Sequence, residues 1–191
     1  MKIFVWTKKS VILYVTLFCS IACLVGFNWN KTVSVFSNNS KKDLPIYCVD
    51  KKEKVCSISF DAAWGNEDTE ILIKELGDYG VKATFFVVGS WVDKYPESVK
   101  QLHDAGHEIM NHSDTHPYMT QISVEKMKQE VTNCDNKIEA ITGVKPTLFR
   151  PPYGDYNNDV VAAMRDTGHF TIQWDVERID IKRNGYNMQY Y

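Results

Sequence analysis

The sequence lacks a strong net charge, and it has no basic stripe interleaved with aromatic residues. Its 191 residues include 22 Lys and Arg against 24 Asp and Glu, a formal net charge of −2 at pH 7. Without an excess of positive charge, the chain has no long-range attraction for a polyanion. We therefore expect no nucleic-acid partner.

Cysteine is also scarce and has no metal-binding or disulfide pattern. The five cysteines are an odd number, and none of them forms a CxxC pair. Cys19 and Cys23 lie in an apolar stretch, whereas Cys48, Cys56 and Cys134 are scattered. The sequence predicts buried or free thiols. A disulfide among the last three is the alternative.

Charge is missing altogether from residues 10–30, which follow Lys2, Lys8 and Lys9. At about 1.5 Å per residue, a helix of this length spans roughly 30 Å, the thickness of a bilayer core. The preceding lysines favour an N-terminus that stays in the cytoplasm. Residues 1–9 are therefore predicted as a cytoplasmic basic segment and residues 10–30 as a transmembrane signal-anchor.

The rest of the chain is then expected outside the cytoplasm, held at the membrane. Residues 31–53 are rich in Asn, Ser and Lys and are predicted as a polar linker. Residues 54–191 are predicted as the domain that the linker tethers. A cleaved signal peptide is the competing interpretation, but the apolar stretch is long and no Ala-x-Ala site stands out.

Strand and helix patterns alternate from Lys54 onward. Strands are predicted at residues 55–60, 83–88, 108–110, 148–149 and 170–174, and helices at residues 67–79, 95–105, 124–142 and 158–167. The first helix is expected to turn Ile71, Leu72, Leu76 and Tyr79 inward. Residues 83–88 are almost continuously apolar, as in a strand covered on both faces. The alternation predicts a parallel α/β sheet or barrel.

Four chemically distinctive side chains follow predicted strands: Asp61, His112, Arg150 and Asp175. Loops at the carboxyl ends of parallel strands converge on one face, so these side chains are expected to meet. Two prolines after Arg150 stiffen its loop, and its guanidinium can clamp a carboxylate. A strand-end hydrogen-bond acceptor is the alternative for Asp61, and an exposed arginine before a turn is the alternative for Arg150.

His112 and His116 are four residues apart in a segment of turn-forming residues. If the segment makes one helical turn, both imidazoles project to the same side, as two ligands of one zinc-like ion require. An isolated HxxxH is a weak signal, because helices place histidines at this spacing by chance. Its position after a strand strengthens the prediction.

Three motifs in the chain resemble those of the polysaccharide deacetylases of the NodB-homology type, carbohydrate esterase family 4, and of their sporulation-associated branch. Residues 59–63 (Ser-Phe-Asp-Ala-Ala) are similar to Thr-Phe-Asp-Asp-Gly, residues 112–116 match His-Ser/Thr-x-x-His, and residues 150–153 match Arg-x-Pro-Tyr. The resemblance covers about residues 54–180. It implies a distorted (β/α) barrel of the NodB-homology type.

The resemblance also implies a divalent ion, usually zinc, with cobalt or manganese also suited to the ligands. His112 and His116 would be metal ligands. Asp61 would be the catalytic base, acting on a water whose pKa the metal lowers. Arg150 would orient Asp61 and favour its ionised form.

The substrate implied is an N-acetylated glycan. The main-chain N–H of Tyr153 matches a donor to the developing oxyanion. Pro152 and Tyr153 would line the substrate site, and Trp64 and Tyr153 would offer flat faces to sugar rings. His107 is expected to be structural.

Two departures from the family pattern bear on activity. Ala62 stands where the family has its metal-binding aspartate, so water, Glu67 or Asp68 would have to take that place. The similarity stops after Ile181, and no residue matches the family's final Leu-x-His. The chain is therefore expected to be C-terminally truncated and to lack the last strand and helix units of the barrel.

The function implied is a metal-dependent hydrolase that removes N-acetyl groups from peptidoglycan or a chitin-like polysaccharide. A catalytically impaired glycan-binding or sporulation-structural descendant is the alternative, favoured by Ala62. A zincin-type protease is suggested by His107-Glu108 but fails, because Asn111 stands where the second histidine belongs. A glycosidase would need a second, correctly spaced carboxylate.

Overall fold

A computed structural model describes residues 42–176 of the chain. Within this range five strands form one parallel sheet in the order β1-β2-β3-β4-β5. The strands are β1 (Ser59–Ala62), β2 (Thr84–Val87), β3 (Glu108–Asn111), β4 (Leu148–Phe149) and β5 (Phe170–Thr171). The predicted parallel α/β fold is confirmed.

Five α-helices connect or follow the strands in the described range: α1 (Thr69–Asp78), α2 (Gly89–Lys94), α3 (Pro96–Asp104), α4 (Val124–Thr142) and α5 (Asn158–Asp166). The ends of α4 are those predicted. The Ser123 side chain accepts a hydrogen bond from the Lys126 main-chain N–H, and Gly143 ends the helix with φ +72°. No helix among residues 42–176 is long and apolar enough to cross a membrane. The predicted anchor lies outside the described residues.

The inward face of α1 differs from the prediction. Ile71 and Tyr79 are exposed, whereas Leu72, Ile73 and Leu76 pack against the core. The helix begins at Thr69, which is buried, and the packed residues follow it at three- and four-residue steps. Tyr79 lies beyond the last helical turn, so it leaves this face.

The core of the described residues forms two clusters, and all four residues of β2 are buried. One cluster includes Phe85, Trp91 and Leu102. A second cluster is built around Phe149 and Met164. Fully burying a large apolar side chain stabilises a fold by roughly 1.5–3 kcal/mol, so these residues hold the sheet to its helices.

The predicted linker is attached to the domain over part of its length. The Ile46 N–H donates to the Thr171 carbonyl (2.8 Å), and the Gln173 N–H donates to the Ile46 carbonyl (2.9 Å). Residues 44–47 are largely apolar, and Ile46 pairs in parallel with Ile172 just beyond β5. The three cysteines of the described range, Cys48, Cys56 and Cys134, are free thiols.

Candidate active site

The register of the sheet brings the ends of its strands to one level. Asp61 pairs with Phe86 in β2, Val87 pairs with Asn111 in β3, and Asn111 pairs with Phe149 in β4. The residues that follow β3 and β4 therefore emerge beside the end of β1.

Asp61 and Arg150 form the closest charged contact of the site. Arg150 Nη1 donates to Asp61 Oδ1 at 2.6 Å, and Arg150 Nη2 donates to the Ser59 hydroxyl at 2.8 Å. The guanidinium lies 4.0 Å from the centre of the Phe86 ring. Its side chain is 6% exposed and that of Asp61 is 34% exposed. Arg150 therefore fixes the Asp61 carboxylate through Oδ1, while part of the carboxylate stays open to solvent.

His112 follows β3 and is buried beside this pair. Its Nδ1 lies 2.7 Å from the Arg150 carbonyl, so Nδ1–H donates there and Nε2 carries the free lone pair. Nε2 lies 3.8 Å from Asp61 Oδ2. Burial lowers the pKa of His112, although Asp61 opposes the shift. The imidazole is therefore neutral at pH 7, the form in which histidine binds metals.

His116 lies beside His112, with 5.0 Å between the ring centres, but the segment between them is not a helical turn. Ser113 and His116 have φ of +67° and +60°, so the chain reverses through left-handed residues. Burial, with a smaller contribution from His112, lowers the pKa of His116 to about 4. Its buried Nδ1 has no hydrogen-bond partner among the described residues.

Main-chain contacts with the start of α2 fix the outer side of this loop. The N–H groups of Gly89 and Ser90 donate to the carbonyls of Ser113 and Asp114, both at 2.9 Å. A Cβ atom at position 89 would collide with the Asp114 carboxylate. Gly89 is therefore needed for the close approach of the loop, a role that sequence reasoning missed together with α2 itself.

An aromatic rim surrounds the two imidazoles. The Trp64 side chain lies 5.3 Å from the His116 ring, and Tyr153 lies 4.5 Å from the same ring. Tyr118 stacks on Tyr153 with 4.2 Å between ring centres. Tyr118 was not predicted, although it stands only two residues after His116. All three aromatic side chains are exposed.

The loop after β4 turns sharply at Tyr153. Pro152 is buried and begins a short 3-10 turn, in which Tyr153 has φ +59°. The left-handed region costs a non-glycine residue roughly 1–2 kcal/mol, and such strain is typical of functional loops. A Cβ atom at Gly154 would press on Trp174 and Gln173, so the turn is also held from the side of β5.

The side chains present fit part of a metal site. The unpartnered buried nitrogen of His116 and the free Nε2 of His112 are suitable donors, with the Asp61 carboxylate nearby. Ala62 supplies no donor, since its side chain is a methyl group. The Glu67 carboxylate lies against Gly65. Within residues 42–176 no group of three His, Cys, Asp or Glu side chains is arranged to hold a metal ion.

Sequence comparison assigns the class of protein. The profile of the polysaccharide deacetylases matches residues 49–172. The chain belongs to the polysaccharide deacetylase family, carbohydrate esterase family 4, a family of hydrolases whose deacetylases are generally metal-dependent.

Individual relatives are peptidoglycan deacetylases. The chain is 37% identical over 134 residues to the peptidoglycan-N-acetylmuramic acid deacetylase PdaC of Bacillus subtilis, covering 70% of this chain and 28% of PdaC. It is 32% identical over 139 residues to PdaA, the peptidoglycan-N-acetylmuramic acid deacetylase of the same organism, covering 72% of this chain and 53% of PdaA. The chain thus spans about half or less of these relatives.

A solved structure with the same fold is that of a carbohydrate esterase family 4 pseudoenzyme from Bacillus anthracis. It superposes with a TM-score of 0.67 at 35% identity, over 70% of this chain and 47% of the other. A mutant of that pseudoenzyme, with a TM-score of 0.67 and 37% identity over 70% of this chain and 49% of the other, has restored enzymatic activity. The family therefore contains inactive as well as active members.

Proposed function

We propose that the chain is a metal-dependent N-deacetylase domain that acts on peptidoglycan or a related N-acetylated glycan. The observation that carries the proposal is the Arg150–Asp61 contact at 2.6 Å, which lies beside two imidazoles whose pKa values are lowered. A clamped carboxylate next to neutral metal-ligating groups suits hydrolysis of an acetamide. Peptidoglycan is the glycan of relatives PdaC and PdaA.

In this proposal His112 and His116 hold a divalent ion, with zinc favoured and cobalt or manganese as alternatives. The bound ion would polarise the acetamide carbonyl and lower the pKa of an attacking water. Asp61 would accept the proton of that water, and Arg150 would hold the carboxylate in place through the contact between Nη1 and Oδ1. The Tyr153 main-chain N–H donates to the developing oxyanion.

Substrate contacts are proposed for the aromatic rim. Trp64 is 80% exposed, and an exposed indole beside a catalytic loop offers an apolar face to a sugar ring. Tyr153 offers a second face, and Pro152 fixes the turn that presents it. These three residues would orient the acetamide group over Asp61.

A glycan-binding descendant without catalysis is the second candidate. The specific observation in its favour is Ala62, which supplies no third ligand. A pseudoenzyme in the same family supports it. In this case the aromatic rim would keep its role, and metal affinity would be weak or absent.

The setting of the domain is part of the proposal. Residues 10–30 would anchor the chain in the membrane as a signal-anchor, and residues 54–191 would belong to an extracytoplasmic NodB-type domain. The domain would act in sporulation, as its resemblance to the sporulation-associated branch of the family implies. Proteinase treatment of intact cells, which degrades only exposed extracytoplasmic segments, would test this orientation.

The experiment that tests the enzymatic proposal is a zinc titration of the full chain in detergent by calorimetry, followed by acetate release from peptidoglycan and chitooligosaccharides. The matched control is the His112→Ala, His116→Ala double variant. Micromolar zinc affinity that the double variant loses, together with acetate release, would support the deacetylase. Glycan binding without zinc binding or acetate release would support the non-catalytic candidate.

A further inference from the structure

A buried carboxylate lies behind the loop that carries the two histidines. Glu130, in the middle of α4, is 1% exposed. Its Oε2 accepts hydrogen bonds from the main-chain N–H groups of Asp114 (3.1 Å) and Thr115 (2.7 Å). The Thr115 hydroxyl donates to Oε2 at 3.0 Å. One side chain therefore binds two consecutive peptide groups between His112 and His116.

The main-chain N–H groups of this turn bond to side chains and not to a strand or helix. Those of Ser113 and His116 donate to Asn111 Oδ1 and Ser113 Oγ, and those of Asp114 and Thr115 donate to Glu130. Ser113 and His116 both have positive φ, a conformation that costs a non-glycine residue roughly 1–2 kcal/mol. Such a backbone persists only where its surroundings hold it in place. A charged acceptor forms stronger hydrogen bonds than a neutral one, so Glu130 is suited to this task.

Among the described residues, Lys126 is the cation in contact with Glu130, and it contacts Oε1, which also accepts from the Thr115 hydroxyl at 3.0 Å. Lys126 Nζ is 3.1 Å from Glu130 Oε1 and half exposed. This contact is within α4, at a spacing of four residues, and does not reach the loop. The bonds to Asp114 and Thr115 therefore account for the position of the carboxylate toward the site.

We propose that Glu130 is a positioning residue that sets the relative placement of the His112 and His116 imidazoles by holding the main chain between them. The ligand role of the histidines rests on the proposed function. The hydrogen bonds from the loop to Glu130 do not depend on that function. The positioning role of Glu130 and the ligand role of the histidines can therefore be tested separately.

The test compares three variants of the full chain. Glu130→Met has a similar length and removes both acceptor oxygens, whereas Glu130→Gln keeps one oxygen for the two N–H groups. Ile138→Val removes a methylene from a fully buried position two turns further along α4 and lowers stability without contacting the loop. Hydrogen exchange of the Asp114 and Thr115 amides is measured by NMR, and zinc affinity by calorimetry.

We expect the two amides to exchange at least about tenfold faster in Glu130→Met and close to the wild-type rate in Glu130→Gln and Ile138→Val. Zinc affinity should fall by about 10- to 100-fold in Glu130→Met, the usual effect of losing a group that orients a ligand. Unchanged exchange in Glu130→Met, or an equal increase in Ile138→Val, would overturn the proposal.

Two further outcomes are informative. If the wild-type chain binds no zinc, the metal-dependent function fails, and amide exchange alone decides the role of Glu130. If Glu130→Met does not fold, Glu130→Asp keeps the charge but shortens the side chain by one methylene, which draws both oxygens away from the two N–H groups. A selective increase in exchange at residues 114 and 115 would then support the proposal, and its absence would overturn it.

Discussion

The histidine half of the site, residues 111–116, is fixed by buried hydrogen bonds, whereas the carboxylate half, residues 61–65, is largely open. Asn111 and His112 are almost completely buried, but Trp64 is 80% exposed. Asp61 is held by Arg150 and is followed by the methyl group of Ala62. The difference is that buried hydrogen bonds hold the two imidazoles, whereas the carboxylate half has one carboxylate, Asp61, that Arg150 holds at the site.

The largest effect is expected from breaking the frame of the histidine half. Asn111 is fully buried, donates to the Val131 carbonyl (2.8 Å) and to Asp135 (2.7 Å), and accepts from the Ser113 N–H (2.8 Å). Asn111→Ala leaves these groups unpaired and should lower the free energy of unfolding by about 3 kcal/mol in urea titrations. The exposed Asn136→Ala should change it by less than about 0.5 kcal/mol. Equal losses of unfolding free energy in the two variants would contradict the view that buried hydrogen bonds fix residues 111–116.

The second effect concerns the missing oxygen donor. Ala62→Asp would supply a carboxylate at the position where the family has its metal-binding aspartate. We expect zinc affinity to rise about tenfold or more, equivalent to about 1.4 kcal/mol. Ala62→Asn has the same shape without the charge and should give a much smaller gain. If both variants bind zinc like the wild type, the lack of a carboxylate at position 62 does not limit zinc affinity.

A third, smaller effect is expected at an imidazole that belongs to neither half. His107 is buried and accepts a hydrogen bond from the Ala83 N–H at 3.2 Å. Burial, with a smaller effect of Lys82, lowers its pKa below the ordinary 6.5. The unfolded chain then binds more protons, so stability should fall as the pH drops through about 6.5.

His107→Gln should flatten that dependence, because its side-chain oxygen accepts the bond without titrating. The measurement is the urea midpoint between pH 8 and pH 5 in both proteins. If the difference in urea midpoint between wild type and variant is the same at every pH, His107 does not cause the pH dependence of stability.

The smallest effect on stability is expected on the open half. Trp64→Ala should leave the free energy of unfolding within about 0.5 kcal/mol of the wild type, since the indole is mostly in solvent. Its affinity for chitooligosaccharides should nevertheless fall if the indole contacts sugar rings. Trp64→Phe, which keeps an aromatic face, serves as the control in a binding titration. A large loss of stability would mean that Trp64 is structural.

The sequence predicted the sheet well, and it predicted that Asp61, His112 and Arg150 lie close together, because both depend on local patterns. Apolar runs marked the strands, and Asp61, His112 and Arg150 each follow a strand. The six-residue helix α2 was missed, since a segment so short shows little periodicity. The form of the 112–116 loop was also missed, because hydrogen bonds from distant residues hold its left-handed backbone.

The sequence contained a signal for the buried role of Glu130 that the prediction did not use. It stands three residues after Met127 and immediately before Val131, on the buried stripe of α4. A charged residue on an apolar stripe requires a partner, since an unpaired buried charge is costly. The pattern indicates that Glu130 has buried partners, but their identity depends on tertiary structure.

The contact between Asp61 and Arg150 joins residues 89 positions apart in the chain. Closing a loop of this length costs more conformational entropy than forming a local contact, and ordering the intervening chain lowers that cost. The strands β1 and β4 must both be in place, with β2 and β3 between them, before the guanidinium reaches the carboxylate. A newly made chain is therefore expected to gain this ion pair late in folding, so that partly folded chains would expose both histidines without a completed site.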